Sequence, residues 1–555
     1  MNILVCHRAR QSLLTTNNVR AHPDKYSVFW VRSKAGFIYF LKPVREKQIL
    51  FPTYKGENDM TKLNRRSFLA AGSALFGTAL TGHAVASPVT TSKWDMTTDI
   101  VIIGAGGAGL AAAAQAGILG LKCIVLEKEP VIGGSSAVCG GKWAVSGSEL
   151  QLKQGIKDSE ELFVKDMMEC GMHKNDLEVV KAYVKENNDT WKWVHTAGKI
   201  EPLALNMAGG QSVPRSLVVK PGEVIEFLRK SAVKTGAQIM TRTKAERLIW
   251  DFTQNRIAGV RTSRRGKVLF IRATKGVVLA AGGFSRNPQL LKKYAPQLEH
   301  AAVIAGLGTQ GDGILMAQAY GADMIDTNYI KATYGFSPSA STIAQKSNSQ
   351  YMGAIAINKF GKRFGNESVS YKLFADWAFA QPEGKSWLVL DDDIRRDAAK
   401  KNPTQDGYLW NPIDKGEKPS YVSIGNTIEE AAKNAGLDPK AVAETIKRYN
   451  SFVDSGKDED FNRQGLAAGK SKLKKIEKAP FFIFPATGAM IATYCGVRIT
   501  PKAQVVDIFG DVIPGLWAAG EMTGGVHGAA YMNGTAFSKA MAFGRIAVKD
   551  IAGKI

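Results

Sequence analysis

The sequence predicts an α/β fold in which one domain is interrupted by an inserted α+β domain. A β-branched run followed by the spacing G-x-G-x-x-G occupies residues 100–109. A second glycine-rich stretch, G-L-W-A-A-G-E-M-T-G-G-V-H-G, occupies residues 515–528. Between them, residues 326–489 are richer in aromatic side chains and are broken by many polar turns. Because two glycine-rich stretches flank a segment of different composition, we expect one domain interrupted by an inserted cap, with a site between the two.

The first glycine spacing belongs to a strand–turn–helix unit that is typical of dinucleotide-binding domains. Residues 100–103 are apolar and β-branched, which predicts a buried parallel strand. Gly104 allows a tight turn, Gly106 lets the backbone approach a pyrophosphate, and Gly109 lets the helix pack closely on the strand. The order of these features predicts a Rossmann-like nucleotide-binding domain.

The segment after the glycines completes this unit. Residues 110–118 are rich in alanine and are predicted to form a helix whose N-terminal N–H groups point at the phosphates. Residues 123–126 predict a second strand, which Glu127 follows directly. A carboxylate in this place accepts a hydrogen bond from a ribose hydroxyl. The chain is therefore predicted to bind a dinucleotide.

The rest of the chain can be divided by pattern and composition. Residues 158–235 are predicted to be mostly helical, residues 238–284 to form strands, and Asp312 to lie in the first turn of a helix. The predicted parts, in chain order, are an extension at 1–59, a signal peptide at 60–86, the first part of the nucleotide-binding domain at 97–325, the cap at 326–489 and the C-terminal part of the first domain at 490–555.

A twin-arginine sequence, Arg65-Arg66-Ser67-Phe68-Leu69, opens a weakly apolar run near the N-terminus. Ala84-Val85-Ala86 has the small-x-small form of a cleavage site. We therefore expect export to the periplasm by the twin-arginine pathway. Since such a signal belongs at a terminus, translation is expected to begin at Met60, and residues 1–59 to be an extension without a fold of their own. The apolar run is too short to span a membrane.

The composition argues against several kinds of partner. The formal net charge is +23, but basic residues are not interleaved with aromatic ones as in nucleic-acid-binding surfaces, so we expect no nucleic-acid partner. The cysteines and histidines are scattered without metal-ligand spacing, so we expect no metal site. No C-x-x-C-H motif occurs, so we expect no covalently attached c-type haem.

Three further motifs resemble those of the fumarate reductase/succinate dehydrogenase flavoprotein family. They are A-A-G-G-F at 280–284, T-Q-G-D-G at 309–313 and P-G-L-W-A-A-G-E-M-T-G-G-V-H-G at 514–528. The resemblance implies FAD, held noncovalently because no histidine stands at the early position through which membrane-bound members attach theirs. The cofactor-binding residues that it implies are Gly104, Ala105, Gly106, Gly107, Ala108, Gly109, Glu127, Lys128, Gly134, Ser135, Ser136, Gly140, Gly141, Ala245, Asp312, Gly520, Glu521, Ala536 and Phe537.

Four positions depart from the fumarate reductases of this family. Those enzymes hold a dicarboxylate between arginines and histidines, because paired carboxylates need fixed cationic donors. One arginine position falls on Tyr371, and the other lies in the segment 526–534, which contains Tyr531 and no arginine. The two histidine positions fall on Leu217 and Ala492. We therefore expect a substrate other than fumarate.

The segment N-E-S-V-S-Y-K-L-F at 366–374 resembles the cap motif of the 3-ketosteroid dehydrogenases, whose tyrosine exchanges a proton next to the ketone. Tyr371 stands at that position, and a phenol with an ordinary pKa of about 10 can deliver a proton to the α-carbon while flavin N5 delivers hydride to the β-carbon. Tyr531 and the backbone N–H of Gly534 are expected to polarise the carbonyl oxygen. Oxidation in reverse would require that Lys372 or Tyr531 lower the pKa of Tyr371.

Three functions remain open on this basis. The first, which periplasmic export favours, is an FAD enzyme that reduces an enone or an enoate without a second carboxylate. The second is the same fold oxidising such a substrate, as a 3-ketosteroid dehydrogenase does. The third is a flavin-bearing electron-transfer or binding protein. The expected partners are a small unsaturated carbonyl compound and a separate electron-transfer protein, such as a multihaem c-type cytochrome, without stable membrane insertion.

Overall fold

The computed structural model describes residues 26–33, 36–43, 90–91, 93–299, 301–466 and 472–555. The chain divides into an N-terminal unit, Met1–Ala84, and a compact unit, Val85–Ile555. The predicted signal peptide and its cleavage site lie outside the described residues.

The N-terminal unit contains two described strands, β1 (Tyr26–Ser33) and β2 (Gly36–Pro43). They pair antiparallel from Tyr26 opposite Pro43 to Ser33 opposite Gly36. Residues 1–59 were expected to have no fold of their own, and the structure has these two strands within them, whose aromatic and β-branched residues favour extended backbone. A two-stranded ribbon is only marginally stable by itself.

The elements of the larger unit have the following bounds. Its strands are β3 (Met96–Ile103), β4 (Cys123–Leu126), β5 (Lys142–Ala144), β6 (Ala204–Asn206), β7 (Ser216–Val218), β8 (Gln238–Met240), β9 (Thr243–Asp251), β10 (Arg256–Arg264), β11 (Lys267–Leu279), β12 (Ala302–Val303), β13 (Met324–Ile325), β14 (Thr333–Phe336), β15 (Ile355–Asn358), β16 (Ser386–Asp391), β17 (Ser423–Gly425), β18 (Phe481–Pro485), β19 (Thr487–Met490), β20 (Gly496–Val497), β21 (Gln504–Val506) and β22 (Val512–Ala518). Its α-helices are α1 (Gly107–Ile118), α2 (Gly134–Ala137), α3 (Glu149–Lys153), α4 (Glu160–Cys170), α5 (Leu177–Gly198), α6 (Pro221–Lys234), α7 (Pro288–Tyr294), α8 (Asp312–Gln318), α9 (Tyr371–Phe379), α10 (Asp392–Lys401), α11 (Asp406–Asp414), α12 (Ile428–Asn434), α13 (Pro439–Ser455) and α14 (Thr535–Ile551).

The eight-stranded sheet carries the nucleotide-binding unit. Its strands follow the order β21-β22-β11-β3-β4-β8, and β10 and β9 continue from β11 as an antiparallel extension. The strands from β22 to β8 are parallel. Because β22 lies near the end of the chain and pairs with β11, the C-terminal segment rejoins the first domain. The predicted α/β fold with an interrupted first domain is confirmed, and its residue boundaries stay predictions.

Helices α1 and α14 are in backbone contact beneath this sheet. A Cβ added at Gly544 would lie 2.2 Å from the carbonyl oxygen of Ala108, so only glycine permits this approach. The start of α14 lies beside β5, where the N–H of Ala144 donates to the carbonyl oxygen of Gly534 at 2.9 Å. This packing brings the last helix of the chain to the loop that follows the nucleotide-binding glycines.

The cap is built on the antiparallel sheet β15-β16-β18-β17, together with helices α9 to α13. Its core contains the buried rings of Phe374, Trp410 and Phe484. The small sheets β12-β19-β14 and β13-β20 join strands from both sides of the cap. None of the helices in the described ranges is long and apolar enough to cross a membrane.

Candidate active site

The glycine loop between β3 and α1 leaves space at one glycine and none at the other two. A Cβ at Gly104, whose φ is +105°, would lie 2.3 Å from the carbonyl oxygen of Ala280. A Cβ at Gly109 would lie 1.8 Å from the carbonyl oxygen of Gly104. At Gly106 the nearest atom to an added Cβ is 3.8 Å away. The first and third glycines therefore permit backbone packing, and the second faces open space.

The N-terminus of α1 presents backbone N–H groups to that space. Gly106 caps the helix without a side-chain hydrogen bond, and the first turn holds no acidic residue. The first N–H groups of a helix have no partner within the helix and bind phosphate readily. Gly107 and Ala108 belong to this turn, and a Cβ at Gly107 would lie 2.8 Å from Oγ of Ser136. The geometry fits the pyrophosphate of a dinucleotide.

Glu127 ties the end of β4 to the glycine loop. Its carboxylate accepts hydrogen bonds from the backbone N–H groups of Ala105 and Glu129, each at 2.9 Å. The side chain is buried, yet each carboxylate oxygen keeps a further lone pair. The predicted hydrogen bond from a ribose hydroxyl is compatible with this geometry and stays a prediction.

Four further residues predicted to bind the cofactor come together from distant parts of the chain. The ammonium of Lys128 forms an ion pair with the carboxylate of Asp312, and Asp312 shares a cavity of about 340 Å³ with Ala245. Nearby in the fold, Oγ of Ser135 accepts a hydrogen bond from the N–H of Gly306 at 3.0 Å. The charges of this region are thus paired within the protein.

The other predicted cofactor residues lie in three turns. Gly134 begins α2, and Gly140 and Gly141 precede β5. Gly520 and Glu521 follow β22, while Ala536 and Phe537 lie in the first turn of α14. We call all these residues, with Gly104–Gly109, Glu127, Lys128, Ala245 and Asp312, the cofactor cradle.

Two members of the cradle have contacts that the sequence did not predict. The carboxylate of Glu521 accepts the N–H of Thr493 at 2.9 Å, and burial raises its pKa. Phe537 packs edge-on against Trp143, with ring centroids 5.6 Å apart. Within the described residues, no group of three or more His, Cys, Asp and Glu side chains could hold a metal ion.

Three tyrosines lie together between the cap and the start of α14. The rings of Tyr494 and Tyr531 stack with centroids 4.6 Å apart, and His527 packs edge-on against both. Tyr371, the first residue of α9, is within electrostatic range of both phenols. We call Tyr371, Tyr494, Tyr531 and His527 the tyrosine cluster.

Tyr371 is held in its neutral form. Burial, followed by the neighbouring phenols of Tyr531 and Tyr494, raises its pKa well above the ordinary value of 10. The influence of Tyr531 is therefore opposite to the one that oxidation would require. Lys372 is directed elsewhere, because its ammonium donates to the carbonyl oxygen of Lys331 at 3.0 Å and lies 4.3 Å from the ring centroid of Tyr494. A phenol that stays neutral holds a proton that it can donate, and in this form it cannot act as a base.

Tyr531 and Gly534, which were predicted to act side by side, form a pair. The N–H of Gly534 donates to the hydroxyl oxygen of Tyr531 at 3.0 Å. Burial raises the pKa of Tyr531 to about 12. The N–H of Gly534 thus orients the phenol, and the Tyr531 hydroxyl keeps its own proton as a donor to a carbonyl oxygen.

At the two positions where the fumarate reductases of the family have histidines, this chain has apolar residues. Leu217 is fully buried in β7, and Ala492 precedes the turn that carries Tyr494. Sequence reasoning missed Tyr494, although the signal was present two residues beyond Ala492. Its φ of +55° is unusual for a side chain of this size. The backbone conformation that turns this ring toward Tyr531 could not be read from the sequence.

Sequence reasoning also missed Lys346. This lysine is buried, and its Nζ lies 5.0 Å from the ring centroid of Tyr371. It occupies the irregular stretch between β14 and β15, where no periodic pattern indicates which side chains point inward.

The cradle and the tyrosine cluster together define a flavin-dependent oxidoreductase. The FAD binding domain family matches residues 99–536, which is most of the chain. The fumarate reductase (cytochrome) of Shewanella frigidimarina is 33% identical over 469 residues, covering 82% of this chain and 77% of that protein. The protein belongs to this family of FAD-binding flavoproteins, as the sequence motifs predicted. Its cofactor is FAD.

A second relative and two solved structures extend the comparison. The urocanate reductase of Eggerthella lenta is 30% identical over 507 residues, covering 86% of this chain and 80% of that protein. The open conformation of a flavocytochrome c3 fumarate reductase matches with a TM-score of 0.70 at 26% identity, covering 92% of this chain and 85% of that one. The 3-ketosteroid delta1-dehydrogenase from Sterolibacterium denitrificans has a TM-score of 0.70 at 21% identity, covering 83% and 100%. At that identity it shows a shared fold.

Proposed function

We propose that this protein reduces a carbon–carbon double bond conjugated to a carbonyl group, in an enone or an enoate other than fumarate, with Tyr371 as the proton donor. The observation that carries the proposal is the partly buried phenol of Tyr371 beside Tyr494 and Tyr531, whose pKa is raised well above 10 and which therefore stays protonated. It stands where the fumarate reductases of the family have an arginine.

The chain's own groups supply the acid and the polarising donor. Bound FAD in its reduced form supplies hydride to the β-carbon of the substrate. Tyr371 gives its proton to the α-carbon, so that hydride and proton together saturate the double bond. Tyr531, held by the N–H of Gly534, donates to the carbonyl oxygen and stabilises the negative charge that develops there.

Fumarate is a poor fit to this arrangement. Binding two carboxylates needs fixed cationic donors at both ends of the substrate. Leu217 and Ala492 offer apolar surface at two of the required positions, and Tyr371 and Tyr531 carry no charge. The reductase named for urocanate supports a substrate of the enoate class among the relatives of this chain.

We also propose that the protein is exported and receives its electrons from a separate carrier, such as a multihaem c-type cytochrome. The support is the twin-arginine sequence at Arg65-Arg66 and the absence of C-x-x-C-H from this sequence. A relative that bears the name fumarate reductase (cytochrome) points to the same kind of donor.

The test is a substrate panel with the FAD-loaded protein and reduced viologen as electron donor. We expect negligible turnover of fumarate and measurable reduction of at least one bulky enone or enoate. Brisk reduction of fumarate would overturn the assignment. Faster oxidation of a saturated ketosteroid with an artificial acceptor would instead favour the dehydrogenase. Bound flavin with no turnover in either direction would favour an electron-transfer or binding protein.

A further inference from the structure

Lys346 is a buried cation that the proposed chemistry leaves without a role. Only 3% of the residue is exposed, and its Nζ lies over the ring of Tyr371, 5.0 Å from the centroid. A lysine ammonium at this place faces the group that is proposed to protonate the substrate. It is therefore within reach of a molecule bound beside Tyr371.

The charge of Lys346 has no close counterion. Its ammonium donates to the amide oxygen of Asn348, and in the described part of the chain no carboxylate lies within 4.0 Å of it. Asn348 is fixed in turn by Asp406, which accepts hydrogen bonds from its backbone and side-chain N–H groups. Burial raises the pKa of Asp406, while the hydrogen bonds from Asn348 oppose that shift.

The neighbouring lysines add further positive charge near Lys346 and do not compensate its own charge. Burial lowers the pKa of Lys346 to about 8, and the nearby ammonium of Lys142 lowers it further while Asp406 opposes the shift. Lys372 is also buried, but its ammonium donates a hydrogen bond to the carbonyl oxygen of Lys331 and lies over the ring of Tyr494. Burying an unpaired charge costs several kcal/mol by order of magnitude, and a bound anion offsets that cost. Lys346 is the buried cation that lies over the ring of Tyr371, and its ammonium can bind a carboxylate there.

The rest of the site is aromatic. Tyr371, Tyr494 and Tyr531 present ring faces and edges, and the stacked pair Tyr494–Tyr531 forms a flat apolar surface. Planar conjugated groups pack favourably against such rings. A ligand that matches both features has a planar apolar body at one end and a single negative charge at the other.

We propose that Lys346 determines specificity by binding the carboxylate of an aryl-substituted enoate with one negative charge, selecting it over the matching neutral enone. This inference rests on the proposed function, because it assigns the substrate class of the same site. The Lys346 ammonium has three donors, of which Asn348 takes one. No other acceptor among the described residues takes the remaining donors, which can form charge-assisted hydrogen bonds with the carboxylate.

The test compares Lys346→Met and Lys346→Arg with the unaltered protein, all loaded with FAD. Cinnamate and benzalacetone serve as substrates, since they differ chiefly in the carboxylate and the methyl ketone. Hydrocinnamate and 4-phenyl-2-butanone, the saturated counterparts, are titrated against the visible absorption of the oxidised flavin to give a Kd without turnover. A hydrogen bond to a charged group contributes about 1.5–3 kcal/mol, which corresponds to a factor of about 10 to 100.

In Lys346→Met we expect the KM of cinnamate and the Kd of hydrocinnamate to rise by about 10- to 100-fold. We expect the kinetics of benzalacetone and the Kd of the saturated ketone to change little, and Lys346→Arg to recover most of the loss. An equal loss for the acid and the ketone, or no loss for either, would overturn the inference while leaving the proposed function standing. If Lys346→Met does not fold, Lys346→Gln, which keeps a donor for Asn348, is judged by the same outcomes. Failure of the unaltered protein to reduce any enone or enoate would instead overturn the proposed function.

Discussion

The cofactor cradle and the surroundings of the tyrosine cluster differ in how their buried charges are compensated. In the cradle, Lys128 is paired with Asp312, and the carboxylate of Glu127 is held by two backbone N–H groups. Beside the tyrosine cluster, Lys346 and Lys372 are buried, and no carboxylate of the described residues forms an ion pair with either of them. The difference indicates that Lys128, Asp312 and Glu127 are satisfied within the protein, whereas the lysines beside the cluster leave positive charge that a bound anion can offset. We expect changes in the cradle to abolish cofactor binding and changes in the cluster to alter rate, specificity and pH dependence.

The largest effect is expected from Gly109→Ala in the cradle. The added Cβ would lie 1.8 Å from the carbonyl oxygen of Gly104, so the glycine loop must move away from the cofactor. We predict almost complete loss of bound FAD, measured as the ratio of flavin absorbance to protein in the purified variant.

Gly222→Ala is the matched control for this change. An added Cβ at Gly222 meets nothing within 4 Å, and the residue lies in the first turn of α6. Alanine is favoured over glycine in a helix by about 1 kcal/mol, so this variant should keep its flavin and lose no stability. A Gly109→Ala protein with full flavin content would show that the loop does not hold the cofactor as described.

A smaller effect is expected from Tyr531→Phe in the cluster. The ring stack with Tyr494 is retained, but the donor to the carbonyl oxygen is removed. Loss of one donor of this kind costs about 10²–10³-fold in kcat, and we predict a loss at the lower end, about 10²-fold. FAD content should be unchanged. Wild-type kcat in this variant would mean that Tyr531 does not polarise the substrate.

The smallest effect is expected on stability, from Lys372→Met. Burial, with a smaller influence from Lys346, lowers the pKa of Lys372 from 10.5 to about 7. The unfolded chain therefore binds more protons than the folded one between pH 7 and 10.5, so the free energy of unfolding rises with pH in that window. Below pH 7 the full cost of the buried charge is present.

The expected result is a difference in pH dependence between the two proteins. From pH 7 to pH 9, the free energy of unfolding of the unaltered protein should rise by about 2 kcal/mol more than that of Lys372→Met. Denaturant titrations of both proteins at the two pH values give this difference. The hydrogen bond to the carbonyl oxygen of Lys331, which Lys372→Met lacks at both pH values, cancels when the change with pH is compared. Equal changes in the free energy of unfolding of the two proteins between pH 7 and pH 9 would show that the pKa of Lys372 is not lowered by burial.

The cradle could be predicted from the sequence because its determinants are local. The strand at 100–103, the glycines after it and the helix beyond follow each other directly, and the structure has them as β3 and α1. Close backbone contacts permit only glycine at Gly104 and Gly109. The requirement is therefore visible in the sequence as glycine at both positions. The strands over 238–284 and the helices over 158–235 were likewise readable from periodicity.

The tyrosine cluster could be predicted only in part because it is assembled from distant segments. Tyr371 and Tyr531 were found through family motifs, and their neutral state follows from burial that only the fold reveals. Tyr494 and Lys346 lie in irregular segments, so their proximity to Tyr531 and Tyr371 depends on long-range packing. For the same reason, the sequence could not show that the ammonium of Lys372 donates to the carbonyl oxygen of Lys331, away from the hydroxyl of Tyr371.

The most direct test of the central claim, that Tyr371 protonates the substrate, is the kcat of Tyr371→Phe on the best substrate of the panel. Tyr334→Phe is the matched control, because Tyr334 is another tyrosine of the cap, fully buried, whose hydroxyl hydrogen-bonds Ser386 at 3.1 Å, outside the cluster. General acid catalysis contributes about 10²–10⁴-fold, so we predict a loss of that size in Tyr371→Phe with normal FAD content and at most a few-fold change in Tyr334→Phe. Full activity in Tyr371→Phe with normal FAD content would contradict the account, because another group or water would then deliver the proton.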